Sequence, residues 1–311
     1  MALLSSAVTL FTSLPPRVEG ASAREPALLR GIRESWRDAG FSAVSVNTSL
    51  EHRLRPDLRR VIADSAMAAV VVDRPDAAAG RSVVDRDPLC TMSELLGAMH
   101  RHVPNGVVGI VNADIGRSRQ LSAQSIAAVV AGGRSFLGQR LDVKEIPHED
   151  TVPDGIMDLH GADFVAFPSA VIPALVRILP PILRFGRPWW DHYLPLSLLL
   201  LGVAPRMVAQ GSLWHVTHPQ RWSMRSWERG GVVAARQFSA ALSGLPPSQA
   251  SQAWLRLYRG RFDPGGAINA GDRVVRRLLD ASIFPGPLLR SRLGVLAGGN
   301  VALLLQSAAA E

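Results

Sequence analysis

Cysteine and lysine are almost missing from this chain of 311 residues, which holds one of each, Cys90 and Lys144. A single cysteine can build neither an internal disulfide nor a cysteine-ligated zinc site, so disulfide scaffolds and zinc fingers are excluded and a reducing compartment is expected. Aromatic residues are scarce at 6%, and no basic helix or basic-aromatic run is present of the kind that binds nucleic acid. The net charge of +8 comes almost wholly from arginine in an Ala- and Gly-rich chain. That pattern reads as a bias of composition, and nucleic acid is not expected as a partner. Long apolar runs are also weak. The uncharged stretches Met1–Pro16, Tyr193–Pro205 and Leu293–Ala310 are broken by Ser and Thr, shortened and interrupted by proline, or diluted by Gly298, Gly299, Asn300 and Gln306. None reads as a membrane span. There is no Gly-x-x-x-x-Gly-Lys phosphate loop and no Gly-x-Ser-x-Gly elbow.

What is present is enough apolar residue, 47%, to build a substantial core in one large domain or two smaller ones. A β-like run at Ala7 to Leu14 stops at Pro15-Pro16, and Arg24 to Asp38 then sets Leu28, Leu29, Ile32 and Trp36 on one helical face, closed by Gly40. Strands are expected at Ala43–Asn47 and Met67–Val72, a helix at Thr91–His102, and the best strand of all at Gly106–Ile115, a continuous apolar run suited to a central strand covered on both faces. A helix at Leu121–Ala131, strands near Phe136–Val143 and at Asp163–Phe167, an exposed loop between Lys144 and Asp158, a helix at Trp189–Leu201 and a strand-like Arg206–His215 follow. Arg-rich helices are expected at about 225–243, 248–259, 271–282 and 293–306. The alternation predicts an α/β fold: an open, mostly parallel sheet flanked by helices over residues 1–230, with a C-terminal helical extension at 231–311.

In open α/β sheets ligands sit beyond the carboxyl ends of the strands. The polar residues just past each apolar run are Thr12 and Ser13, then Asn47 and Glu51, then Asp73, then Asn112-Ala113-Asp114. An aspartate delivered there suits Mg²⁺ or Mn²⁺, which favour one or two carboxylates plus substrate phosphates; the competing reading is a turn or capping role for Asp114. In Gly186-Arg187-Pro188-Trp189-Trp190-Asp191, two indoles beside a carboxylate could wall a sugar or base while Asp191 takes a hydroxyl proton, against the competing reading of core packing and a helix-start carboxylate. His215 and His218 close the last strand-like run and are candidate metal ligands, with a hydrogen-bonded structural role as the alternative.

Taken in order, these pieces resemble nucleotide-sugar glycosyltransferases of the GT-A type, and a group of bacterial glycosyltransferase-like proteins in particular. The matching segments are Leu10 to Pro16, Ser35-Trp36, Gly40-Phe41, Ser45-Val46-Asn47 with Glu51, Val111 to Ile115, Gly161 to Phe164, Gly186 to Asp191, and His215 to His218. They span roughly residues 7 to 230. The resemblance implies a GT-A-like (Rossmann-like) fold that holds a nucleoside-diphosphate-sugar donor at Thr12, Ser13 and Asn47, with Glu51 beside them. It places the metal aspartate at Asp114, where Asn112 stands in place of a first carboxylate. A late metal histidine maps onto His215 or His218, and a catalytic base onto Asp191. Arg140 and Asp142 are candidate donor or sugar contacts, with an ion pair between them as the alternative.

The expected activity is thus transfer of a sugar to an acceptor hydroxyl of a glycan, a lipid-linked substrate or a protein, assisted by Mn²⁺ or Mg²⁺, in surface polysaccharide or glycoconjugate synthesis. A cytoplasmic protein with at most peripheral membrane contact is expected. Two other readings compete. A sugar nucleotidyltransferase would make the activated sugar itself, although Ser13 to Gly20 holds only one glycine where a triphosphate loop would be Gly-rich. A catalytically inactive glycan- or partner-binding protein is the third reading, in keeping with the single carboxylate of Asn112-Ala113-Asp114.

Overall fold

The computed structural model describes residues 8–14, 25–64, 67–73, 87–118, 121–147, 155–157, 162–203, 205–208, 211–217, 233 and 237. The helices expected after residue 221, the boundary between residues 230 and 231, and His218 lie outside the described residues.

The sheets are built from β1 (Val8–Thr12), β2 (Phe41–Thr48), β3 (Ala68–Val72), β4 (Val107–Val111), β5 (Ile115–Arg117), β6 (Ser135–Gly138), β7 (Leu141–Val143), β8 (Ile156–Met157), β9 (Phe164–Pro168), β10 (Pro205–Met207) and β11 (Leu213–Val216). The helices are α1 (Glu25–Asp38), α2 (Ser49–Leu54), α3 (Leu58–Ala63), α4 (Met92–His102), α5 (Ala123–Ala131), α6 (Ile172–Ile178) and α7 (Trp190–Leu200). Seven strands form a large sheet in the order β10-β6-β9-β4-β1-β2-β3, and four form a small one, β5-β11-β7-β8. In the large sheet β9 alone runs against its neighbours β4 and β6; the other strands share one direction. The result is an α/β fold: an open and mostly parallel sheet flanked by helices, as the alternation of apolar runs implies.

Successive side chains of a strand point to opposite faces, and here both faces are covered. On one face Phe11, Val44, Val46, Val108, Ile110, Val165 and Phe167 meet α4, α6 and α7. On the other, Val8, Leu10, Phe41, Phe164 and Ala166 meet α1 and α5. This double burial explains why β4 and β9 are continuous apolar runs with no polar alternation. Trp36 of α1 ties the second face together, stacking on Phe164 at 5.5 Å and donating its indole N–H to the carbonyl of Ile115 at 2.8 Å. Two helix starts are fixed by capping boxes, Thr48 with Glu51 on α2 and Thr91 with Glu94 on α4.

Three expected strands prove to be pairs. The run Gly106–Ile115 is β4, then a turn at Asn112–Asp114, then β5 in the other sheet; Phe136–Val143 divides into β6 and β7, and Arg206–His215 into β10 and β11. An apolar pattern reports burial and not strand partners, so strands of different sheets that follow closely in the chain read as one run. The stretch between Lys144 and Asp158, expected to be loop, contributes the short strand β8. The helices α2, α3 and α6 were not anticipated; at six or seven residues they are too short to show a 3.6-residue period.

Gly116 of β5 lies under the Trp214 indole, and a Cβ there would overlap the ring. Trp214 cannot yield easily, because it is buried and donates its N–H to the Arg117 carbonyl at 3.1 Å. Gly116→Ala should therefore cost about 1–3 kcal/mol in urea unfolding. Gly31→Ala, in the open interior of α1 with nothing near its added Cβ, should stabilise by about 0.5–1 kcal/mol in the same measurement.

Candidate functional site

The carboxyl ends of β1, β2, β3, β4 and β6 lie along one edge of the large sheet, and the antiparallel β9 begins at that edge, Phe164 pairing with Val111 on one side and Gly138 on the other. Thr12, Ser13, Asn47, Glu51, Asn112, Asp114 and Arg140 stand at or just beyond this edge.

Past β1 and β2 the polar residues are knitted inward. The Asn47 amide donates to Ser13 Oγ at 3.0 Å, the Leu14 carbonyl at 3.2 Å and Glu51 Oε1 at 3.2 Å, while its own oxygen accepts from Ser45 Oγ at 2.7 Å. Glu51 Oε2 accepts the Thr48 backbone N–H at 2.7 Å. Asn47 and Glu51 are fully buried, so their side chains brace the ends of β1 and β2 from within. The buried Thr12 hydroxyl, by contrast, has no hydrogen-bond partner among the described residues.

Trp189 and Trp190 pack as core, tilted against Tyr193 at 6.2 Å and Phe185 at 5.0 Å respectively, and do not form an open stacking wall. Trp189 holds a φ of +90°, unusual for a bulky residue, and its backbone N–H donates to Asp191 Oδ1 at 3.1 Å. Asp191 sits in the first turn of α7, half-buried, and its carbonyl accepts from Ala162 at 3.2 Å.

The next residue, Asp163, is the hub that the sequence did not reveal. Its carboxylate is 4% exposed; Oδ1 accepts from Asn112 Nδ2 at 3.0 Å and from Arg140 Nη1 at 2.7 Å, and its backbone carbonyl accepts the Asn112 N–H at 3.3 Å. Asn112 therefore has a donor's task. A carboxylate at 112 would face the buried carboxylate of Asp163 and repel it. Arg140 turns its Nε to Asp142 Oδ1 at 2.9 Å, and the same Asp142 oxygen lies 2.9 Å from His215 Nδ1. His215, buried on β11, brings Nε2 to 3.5 Å from Asp114 Oδ2. Of the predicted residues, the structure thus joins Asn112, Arg140, Asp114 and His215 in one polar chain through Asp163 and Asp142, and carries Asp191 to the same edge through Ala162. Arg140 and Asp142 form an ion pair at 2.9 Å. The signal that could have exposed Asp163 was its place directly before an apolar strand, once that strand was known to run antiparallel beside β4.

Burial by itself raises the Asp142 carboxyl, but the hydrogen bonds and charges of Arg140 and His215 outweigh it and hold the group below its ordinary value of 3.8. An ionised Asp142 only accepts, so His215 donates to it from Nδ1, and Nε2 faces Asp114 Oδ2 across 3.5 Å. Carboxylate plus imidazole, with the imidazole oriented by a second carboxylate, is donor chemistry that suits Mn²⁺ or a similar divalent ion. Among the described residues no group of three or more His, Cys, Asp or Glu side chains forms a complete metal cage. A cation held by two protein side chains would take its remaining ligands from phosphate oxygens and water.

No protein-family model matches this sequence, and no curated protein matches it. Solved structures with a similar fold include the 4-diphosphocytidyl-2C-methyl-D-erythritol synthase of Anaerococcus prevotii, at 8% identity and TM-score 0.37, over 72% of this chain and 93% of that one. A UDP-glucose pyrophosphorylase complexed with UDP-glucose aligns at 9% identity and TM-score 0.34, over 72% and 96% of the two chains. The inositol-1-phosphate CTP transferase of T. maritima aligns at 9% identity and TM-score 0.35, over 78% and 98%. These three carry the names of a synthase, a pyrophosphorylase and a CTP transferase; none is named as a glycosyltransferase. At such identities the likeness concerns the fold alone. No helix among the described residues is long and apolar enough to cross a membrane.

Because the Asp142 carboxyl is lowered on folding, its contribution to stability is complete above the ordinary value and disappears as pH falls through the lowered one. Wild type should exceed Asp142→Asn in urea midpoint at pH 6, and the gap should narrow steadily between pH 4 and pH 2.5. A constant gap across that range would show that the ion pair does not set the acid limb.

Proposed function

We propose that this chain is a transferase acting on a nucleoside-diphosphate sugar, with a divalent cation held between Asp114, His215 and the diphosphate. The observation that carries the reading is the approach of His215 Nε2 to Asp114 Oδ2, with Nδ1 already bound to Asp142. An imidazole held at Nδ1 by one carboxylate and facing a strand-end carboxylate through Nε2, at the carboxyl edge of an open α/β sheet, offers donors for a cation. When bound, the cation supplies charge neutralisation for the departing diphosphate. The finer reading is glycosyl transfer. The acceptor oxygen bonds to the anomeric carbon as that carbon's bond to the diphosphate breaks; the electron pair leaves with the nucleotide, and the acceptor proton passes to the Asp191 carboxylate.

Asp191 also supports a second reading. Its Oδ1 is engaged by the Trp189 N–H, a capping bond that a structural residue would make equally well. Sugar nucleotidyl transfer needs no base for its nucleophile, because a sugar phosphate is already ionised, and the same edge would hold the nucleotide. The names of the structures reported above belong to that chemistry.

Binding and product analysis test these readings. UDP or GDP should raise the melting temperature more with Mn²⁺ than without, and Asp114→Ala or His215→Ala should remove the metal-dependent part, weakening metal-supported binding by at least about tenfold. No nucleotide bound with any divalent ion would overturn the proposal.

The two chemistries separate by product. Glycosyl transfer releases nucleoside diphosphate from a labelled nucleotide sugar and should fall about 10²- to 10⁴-fold in Asp191→Asn with nucleotide affinity unchanged. Formation of nucleoside triphosphate from nucleotide sugar and pyrophosphate, indifferent to Asp191→Asn, would establish the second reading in its place.

A further inference from the structure

We propose that Arg140 is a positioning residue for the His215 imidazole and does not itself contact the nucleotide or sugar. The inference rests on the cation-site reading above. Arg140 stands between β6 and β7 and uses two arms of one guanidinium on two carboxylates: Nη1 on Asp163 Oδ1 at 2.7 Å and Nε on Asp142 Oδ1 at 2.9 Å. Asp163 is anchored by the backbone of β9 and by Asn112, so Arg140 takes its own position from the large sheet. The fork passes that position to Asp142, which holds His215 Nδ1 at 2.9 Å and so sets the ring with Nε2 facing Asp114 Oδ2 at 3.5 Å. A planar guanidinium can span two carboxylates in fixed geometry, whereas a lysine ammonium offers a single flexible point charge. With its charge shared by two carboxylates and its side chain 24% exposed, Arg140 is placed to organise the site and not to reach a ligand.

The test reads the imidazole directly. In metal-free, ¹⁵N-labelled wild type, with the His215 resonances assigned by His215→Gln, the ring should show a protonated Nδ1 and an unprotonated Nε2. In Arg140→Gln it should shift toward a mixture of tautomers, with Arg140→Lys intermediate. Mn²⁺ binding followed by electron paramagnetic resonance should weaken about 10- to 100-fold in Arg140→Gln, while the affinity for UDP or GDP without metal stays within about twofold of wild type. A wild-type ring protonated at Nε2, an unchanged tautomer in both variants, or a parallel loss of metal-free nucleotide affinity would overturn the proposal, the last by making Arg140 a substrate contact. If wild type takes up no Mn²⁺ even with nucleotide present, the cation reading fails while the tautomer measurement still decides the role of Arg140. Should Arg140→Gln not fold, the wild-type spectrum and Arg140→Lys carry the decision.

Discussion

Three times a strand of the large sheet is followed in the chain by a strand of the small sheet: from β4 to β5, from β6 to β7, and from β10 to β11. Backbone peptide groups at such crossings must still find partners. At the first, Asn112 N–H goes to the Asp163 carbonyl and Ile115 N–H back to the Asn112 carbonyl; at the third, Val208 N–H goes to Leu137. The polar chain of the candidate site is attached to these crossings. Asn112 and Asp114 sit on the first, Arg140 on the second, and Asp142 and His215 on the strands that follow the second and third. A site built where two sheets meet gains rigid backbone support from both.

The direction of β9 is the second determinant. A parallel strand in its place would deliver Asp163 to the opposite edge of the sheet. Running antiparallel, it puts Asp163 beside the end of β4 and lets the preceding Ala162 hold the carbonyl of Asp191. The residue at 112 then follows from electrostatics. Next to a buried carboxylate, an amide that donates a hydrogen bond is favoured over a second acid. The asparagine that looks like a missing metal ligand in the sequence is a structural donor to Asp163 in the fold, and the imidazole of His215 stands opposite Asp114.

Much of this was legible beforehand because strand ends in an α/β sheet are announced by where apolar runs stop. The ends of β1, β2 and β4, marked by Thr12, Asn47 and Asn112, are legible in that way, and α1 and α4 by their 3.6-residue period. The Trp189-Trp190 pair shows the limit of the method. Residue type gives an indole its affinity for sugar rings and for a core alike, and only burial separates the two. Asn47 and Glu51 illustrate the same point, since polar residues at a ligand-binding edge can instead be consumed in bracing that edge.

The order of apolar runs and their polar ends determined the α/β class, the open sheet and the place of polar residues at its carboxyl edge, because these follow from local periodicity and from covering both faces of a sheet. Tertiary structure alone decided which charges meet. Asp142, Asp163, Arg140 and His215 are separated by up to 75 positions from first to last, and their contacts arise from strand order, the reversal of β9 and the crossings between sheets. Those features depend on backbone hydrogen bonding between segments distant in the chain, and no short-range pattern records them.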